Sequence, residues 1–184
     1  MTLPTVVLVG AMGAGKDTAA QWLVEDYGYQ RIALADPLRR FVVDVFGPEA
    51  VRDKERYRSV YQLAGDAVRA VQADAFIRAV HRTMQSCIGP WVVTDARYPN
   101  EVEAFPQAVV VGIHAEAAVR RERIFQRDGH WPDPERMTHR SEQYVPALFT
   151  WCAALIENNG TLVQFEQAFW RAMIPLLEER KTHV

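Results

Sequence analysis

Nine residues near the start of the chain, Gly10-Ala11-Met12-Gly13-Ala14-Gly15-Lys16-Asp17-Thr18, fit the pattern G-x-x-x-x-G-K, with the hydroxyl one place later than usual. The chemistry this spacing supports is phosphate binding. Glycines let the backbone turn so tightly that several N–H groups converge on one phosphate, and a following helix adds its positive N-terminal end. Lys16 supplies a mobile cation that can follow the β- and γ-phosphates of ATP or GTP as charge develops. Gly13, Ala14, Gly15, Lys16, Asp17 and Thr18 are therefore the candidate nucleotide ligands. Asp17 stands where a hydroxyl is usual. It either favours the helix N-terminus electrostatically, by about 0.3–1 kcal/mol, or meets a magnesium ion, while Thr18 is the candidate hydroxyl ligand.

Two further groups of residues could do chemistry. Asp95 closes the apolar run Trp91-Val92-Val93-Thr94, where a carboxylate is costly unless it is paired or faces a site. Arg97 lies two residues on, at the same rim. The two either form a structural ion pair, or Arg97 grips a phosphate while Asp95 orients it or holds Mg²⁺ through water. Downstream, Arg120, Arg123 and Arg127 fall on one helix face at spacings of three and four, and Arg121 lies off it. Such a row is either a solvated face or a set of cations for phosphate, with Arg136 and Arg140 following the next loop. Arginine far outnumbers lysine in the chain and suits planar, bidentate contacts to phosphate. His130 and His139 are read as loop and capping residues, since no third metal ligand is spaced nearby.

The elements that must position these groups alternate. Val6-Val7-Leu8-Val9 reads as a fully buried strand, and a helix spans Lys16 to about Tyr27. A short strand is expected over Gln30–Ala35, a helix from Pro37 to about Phe46, and helices near 59–72 and 74–86. Trp91–Thr94 and Ala108–Ile113 read as strands, and Ala117–Arg127 as a charged helix. Asp128–Thr138, with its glycine and prolines, reads as a loop, with helix returning near Ser141. Ala153–Ile156 reads as a last strand, and Leu162–Glu179 as a closing helix that Pro175 kinks or frays. The expected architecture is α/β: a five-stranded parallel sheet with helices on both faces in one domain, with insertions at about 36–88 and 120–142 covering strand ends. Ligands in such folds bind at the strands' carboxyl ends.

At 184 residues, 49% hydrophobic and 24% charged, the composition is that of one globular domain. No apolar run reaches the roughly 20 residues a bilayer needs, and no signal-peptide pattern opens the chain, so a cytoplasmic protein is expected. The net charge of −2 gives no reason to expect nucleic acid or an acidic membrane as partner. Cys87 and Cys152 lack metal or disulfide spacing and are expected to be buried thiols. No nucleophile triad and no guanine-recognition motif N-K-x-D is present.

Several segments resemble, in order, the bacteriophage-type deoxynucleoside monophosphate kinases. Gly15-Lys16-Asp17-Thr18 is similar to the G-K-G-T of adenylate kinases. Ala33-Leu34-Ala35-Asp36-Pro37-Leu38-Arg39 resembles the A-D-P-L-[KR] element of the phage-type enzymes, and Gln62–Arg69 their Q-x-x-G-x-x-x-R helix. Asp95-Ala96-Arg97-Tyr98-Pro99-Asn100-Glu101 resembles their D-x-R-[FY]-P-N-E, and His139–Glu142 their H-x-S-E. The resemblance spans nearly the whole chain. It implies a nucleoside monophosphate kinase fold and phosphoryl transfer from ATP, with Mg²⁺, to a deoxynucleoside monophosphate. It places Asp36, Arg39 and Arg97 at the acceptor, with Arg69 either there or on a solvated helix face. Arg123 and Arg127 are similar to the R-x-x-x-R before the lid of adenylate kinases, where the first stacks on adenine and the second reaches the ATP phosphates. It also implies a lid near 120–142 that delivers Arg136 and Arg140 to the transferring group, a possible homodimer, and the host cytoplasm if phage-encoded. Dephospho-coenzyme A and phosphomevalonate kinases share the phosphate loop and the alternating sheet and form the alternative. A hydroxyl acceptor would need a base, for which Asp36 or Asp95 could serve.

Overall fold

The continuous apolar run at the start forms β1 (Val6–Val9), and none of its four side chains reaches solvent. The computed structural model describes residues 3–53 and 56–179; the side chains of Arg136, Arg140 and Ser141 lie outside that description. After β1 come α1 (Lys16–Tyr27), β2 (Gln30–Ile32), α2 (Asp36–Phe46), α3 (Glu49–Arg52), α4 (Arg58–Val71) and α5 (Ala75–Ser86). Then follow β3 (Trp91–Ala96), α6 (Pro99–Glu103), β4 (Val109–His114) and α7 (Ala117–Asp128). Three one-turn helices, α8 (Pro134–Met137), α9 (Arg140–Gln143) and α10 (Val145–Leu148), lead through a 3₁₀ turn at Phe149–Trp151 to β5 (Ala154–Glu157) and α11 (Leu162–Glu179).

The five strands form one parallel sheet in the order β2-β3-β1-β4-β5. From the central β1 the chain passes first toward the β2 side, then crosses to the β4 side. The carboxyl end of β1 is thus the switch point where such sheets bind ligands. Register against β3 runs Val6 to Val92 and Val7 to Val93, then Val9 to Ala96, so β3 carries one extra residue just where Asp95 sits. Bulges of this kind re-aim side chains next to sites.

Contacts divide the described chain into two compact units, residues 1–31 with 89–184, and residues 32–88. In the first, α11 lines up Phe165, Phe169, Met173 and Leu177 at four-residue intervals, all at most 2% exposed. They share one core with Ala19, Ala20 and Leu23 of α1, and Trp22 lies 5.0 Å from Phe165 and 5.4 Å from Phe169 by ring centroids. Pro175 sits inside α11, which nonetheless runs on to Glu179; buried Leu177 anchors the last turn. In the second unit Val42, Ala50 and Val80 are fully buried. Asp36 opens α2 by accepting the Ala33 N–H at 2.7 Å and pairing with Arg39 at 2.8 Å.

Three expectations need correction. Strand β2 stops at Ile32, because Ala33 and Leu34 lead into the turn that Asp36 closes. The 128–138 stretch contains α8, since the Asp133 carboxylate caps it by accepting the Glu135 N–H at 2.9 Å, with Pro134 at the first helical position. Cys87 is exposed, having been carried past the end of α5, and Cys152 is half-buried, its thiol pushed up to about 11 by burial. Among the described residues no helix is long and apolar enough to cross a membrane.

Candidate active site

The loop joining β1 to α1 is fixed by close approaches that only glycine permits. Gly15, the residue before α1, has φ 108°, and a Cβ there would lie 2.5 Å from Asn158 Nδ2. Gly13 has φ 80°, and its Cβ would lie 2.9 Å from the Arg120 carbonyl oxygen. The loop is therefore gripped from two sides, by the turn after β5 and by α7. Asn158, 3% exposed, donates to the Ala14 carbonyl at 2.8 Å and accepts from Arg123 Nη2 at 3.0 Å. Arg120 donates to the carbonyls of Ala115, at 3.1 Å, and Met12, at 3.3 Å.

Lys16 is 8% exposed and folds back over the loop, its Nζ donating to the carbonyls of Gly10 at 2.6 Å and Ala11 at 3.0 Å. Burial lowers its pKa to about 8, the Arg97 charge adds to this, and the carboxylates of Glu142, Asp17 and Asp95 act the other way. The groups expected from sequence at the loop and at the end of β3 thus share one electrostatic neighbourhood. Asp17, in the first turn of α1, is exposed and pairs with Arg31. Thr18 is half-buried in the same turn.

Arg97 is held from both ends. Its backbone N–H and that of Tyr98 donate to the Glu101 carboxylate, at 2.8 and 3.2 Å, with Pro99 opening α6 between them. Its guanidinium donates from Nη1 to Glu142 Oε1 at 2.7 Å. The other Glu142 oxygen accepts the Met12 N–H at 2.9 Å and lies 3.8 Å from Arg120. Sequence reasoning assigned Glu142 no role. Its signal was a carboxylate at the end of a basic stretch, but its partners lie 130 and 45 residues away in sequence.

The arginine row on α7 divides. Arg120 and Arg123 face the phosphate loop and the turn after β5, whereas Arg127 is exposed and forms a bidentate pair with Asp128 at 2.7 and 2.8 Å, which raises its pKa. Desolvation lowers the pKa of Arg123, and its Nη1 is buried with no hydrogen-bond partner among the described residues. Arg136 and Arg140 fall outside the described side chains. In the 32–88 unit Arg39 pairs with Asp36, and Arg69 lies 5.1 Å over the Phe76 ring with Asp66 3.7 Å away.

No protein-family model matches the chain, and neither does any curated protein. Solved structures do. A gluconokinase from Sinorhizobium meliloti 1021 is similar over 100% of both chains, with a TM-score of 0.65 at 19% identity. A shikimate kinase from Acinetobacter baumannii, in complex with shikimate, is similar over 98% of this chain and 96% of that one, with a TM-score of 0.55 at 18% identity. A dephospho-CoA kinase from Campylobacter jejuni is similar over 96% of this chain and 98% of that one, with a TM-score of 0.58 at 13% identity. The chain shares its fold with these structures.

Two features of that fold suit a nucleotide. The buried Lys16 ammonium lies over the loop, and Arg123 Nη1, buried and without a hydrogen-bond partner among the described residues, sits beside the loop's clamp. Magnesium also fits. Among the described residues no three His, Cys, Asp or Glu cluster as a metal cage. Mg²⁺ characteristically needs none, using one or two protein ligands, water and the substrate's own phosphates. Thr18 and Asp17 stand in the first turn of α1, Asp17 paired with Arg31, and Asp95 lies within electrostatic range of Lys16.

Proposed function

We propose that the chain transfers the γ-phosphoryl group of ATP to a deoxynucleoside monophosphate, giving ADP and the diphosphate. The observation that carries the choice of acceptor is a cavity of about 430 Å³ within the 32–88 unit. Phe41 and Phe76 line it together with Leu38, Val68 and alanines, without a single charged side chain. The flat face of a base can lie against such walls, with its polar edge left toward the open side where Phe41 is exposed. A polyol or a small hydroxy acid finds no hydrogen-bonding partners there. Arg69, stacked on Phe76, and Arg39 add cations to the same unit for the acceptor's phosphate.

Chemistry at a monophosphate acceptor needs little from the protein. An acceptor phosphate oxygen, already ionised at neutral pH, attacks the γ-phosphorus; the bond to the β–γ bridging oxygen breaks, and ADP carries that electron pair away. No general base is required, in keeping with Asp36, whose oxygens are taken by the Ala33 N–H and Arg39. Gly13, Ala14, Gly15 and Lys16 bind the donor phosphates, and Arg97 grips an acceptor phosphate from the end of β3. Mg²⁺, held through Thr18, Asp17 or Asp95, would screen the charge between the β- and γ-phosphates. Arg123 serves the adenosine side and Arg127 closes over the transferring group as the lid shuts, while Arg136 and Arg140 keep the lid role that the resemblance implies. The partners in this reading are small nucleotides in a cytoplasm, without nucleic acid or membrane, and the chain works as a monomer or homodimer.

A second reading, phosphorylation of a hydroxyl, is favoured by the names of the similar structures and by Asp95, a carboxylate near the loop that could serve as base. A coupled ADP-release assay separates the two. The acceptors are dAMP, dGMP, dCMP, dTMP and their ribose forms against gluconate, shikimate and dephospho-CoA. ADP release only with a monophosphate is expected. Release with a hydroxyl acceptor alone, or without any acceptor, defeats the proposal. Lys16→Ala should abolish turnover while the protein stays folded, and near-full activity in that variant would defeat the mechanism.

A further inference from the structure

Glu142 stands apart from the other acidic residues near the phosphate loop. It is a buried carboxylate, 8% exposed, set among three cations: Arg97 at 2.7 Å, Arg120 at 3.8 Å, and Lys16 within electrostatic range. Its two oxygens do different work. Oε1 takes Arg97, whereas Oε2 takes the Met12 N–H of the phosphate loop. A carboxylate this buried is retained only if its charge and lone pairs are matched, and here the match joins the loop, the end of β3 and α7.

We infer that Glu142 is the positioning residue of this site, holding Arg97 and the phosphate loop in fixed register and standing in for the anion's charge until substrate arrives. This rests on the kinase reading above. The Met12 N–H, committed to Glu142, anchors the loop from outside. Arg97 is held through its backbone by Glu101 and through its guanidinium by Glu142, so the side chain is pre-aimed rather than searching rotamers. When a phosphate enters, it competes with Glu142 for Arg97 while the Met12 bond persists. The carboxylate therefore costs some anion affinity in exchange for orientation.

Glu142→Gln is the informative change. The amide oxygen can still accept from Met12, but the charge facing Arg97, Arg120 and Lys16 is gone. Two readouts should move in opposite directions. Binding of inorganic pyrophosphate, measured by calorimetry, should tighten about three- to tenfold, because a negative charge beside Arg97, Arg120 and Lys16 is removed. Turnover with the best monophosphate should fall about 10–100-fold, through Arg97. In an Arg97→Met background the same substitution should leave turnover unchanged, whereas a merely structural role would lower it again. Weaker pyrophosphate binding in Glu142→Gln, or additive losses of turnover in the double variant, would overturn the inference. A wild-type protein that binds pyrophosphate but phosphorylates no acceptor removes the kinase reading instead, and the pyrophosphate comparison then decides for Glu142 alone.

Discussion

Raising the pH should disable the phosphate loop while it relieves a strain on the fold, because Lys16 is poorly placed to keep its proton. Burial is the main reason its pKa stands at about 8 rather than 10.5, with Arg97 adding to the effect. That gap corresponds to about 3 kcal/mol against the charged form in the folded protein. Between about pH 8 and 10.5 the unfolded chain holds the proton and the folded chain has released it, so stability rises with pH across that window. The penalty is complete below the window and gone above it. Lys16→Met carries no such penalty. The difference in urea-unfolding free energy between the two proteins should therefore close by about 3 kcal/mol from pH 8 to 10.5, other titrations cancelling. Activity runs the other way. The value of kcat/KM for ATP should fall about tenfold per pH unit above about pH 8, since it reports the free enzyme. At saturating ATP the limb should move to higher pH, because a polyanion beside Nζ favours the charged form. Initial rates from about pH 6 to 10 supply both curves. A kcat/KM that stays flat to pH 10, together with a pH-independent stability difference, would refute the account of Lys16.

Other perturbations test separate parts of the site. Gly15→Ala puts a methyl where φ is 108° and Asn158 Nδ2 is 2.5 Å away. It should cost about 1–3 kcal/mol of stability by thermal unfolding and most of the calorimetric affinity for ATP; wild-type affinity would mean the clamp can open freely. Asn158→Ala removes the bond to the Ala14 carbonyl and one of Arg123's partners, so ATP affinity should drop about tenfold while the monophosphate KM holds. Single-turnover phosphoryl transfer in Arg127→Ala should slow about 10²–10³-fold if the Asp128 pair opens when the lid closes; an unchanged rate assigns Arg127 to the surface. Phe169→Ala, in the middle of the core, should destabilise by about 3–5 kcal/mol in denaturant titration with little effect on KM.

Much of the fold was readable because its signals are local. The run Val6–Val9 is apolar on both faces, Gly13 and Gly15 of the loop sit where positive φ occurs, and the apolar faces of α1 and α11 recur at helical spacing. What escaped depends on partners distant in sequence or on single side-chain bonds. Helix α6 is five residues held open by the Glu101 carboxylate, and hydrophobic periodicity cannot register so short an element. The arginine spacing on α7 was right as geometry, but which arginines meet the loop depends on the turn at Asn158 and on Asp128 beside Arg127. Glu142 stood in the sequence only as the last residue of the H-x-S-E segment, and its link to Met12 and Arg97 depends on the folded chain. Cys87 was read from its apolar neighbours, yet its place after the end of α5 exposes it.

The hydrogen bond from Asn158 to the Ala14 carbonyl spans 144 residues of sequence. Its consequence reaches into synthesis. The loop that would hold ATP leaves the ribosome well before the side chain that fixes its curvature, and β4 and β5 must form in between. At about 5–20 residues per second the glycine-rich loop waits roughly 7–30 seconds for its clamp. A nascent chain stalled before Asn158 should therefore carry the complete motif and yet bind nucleotide poorly.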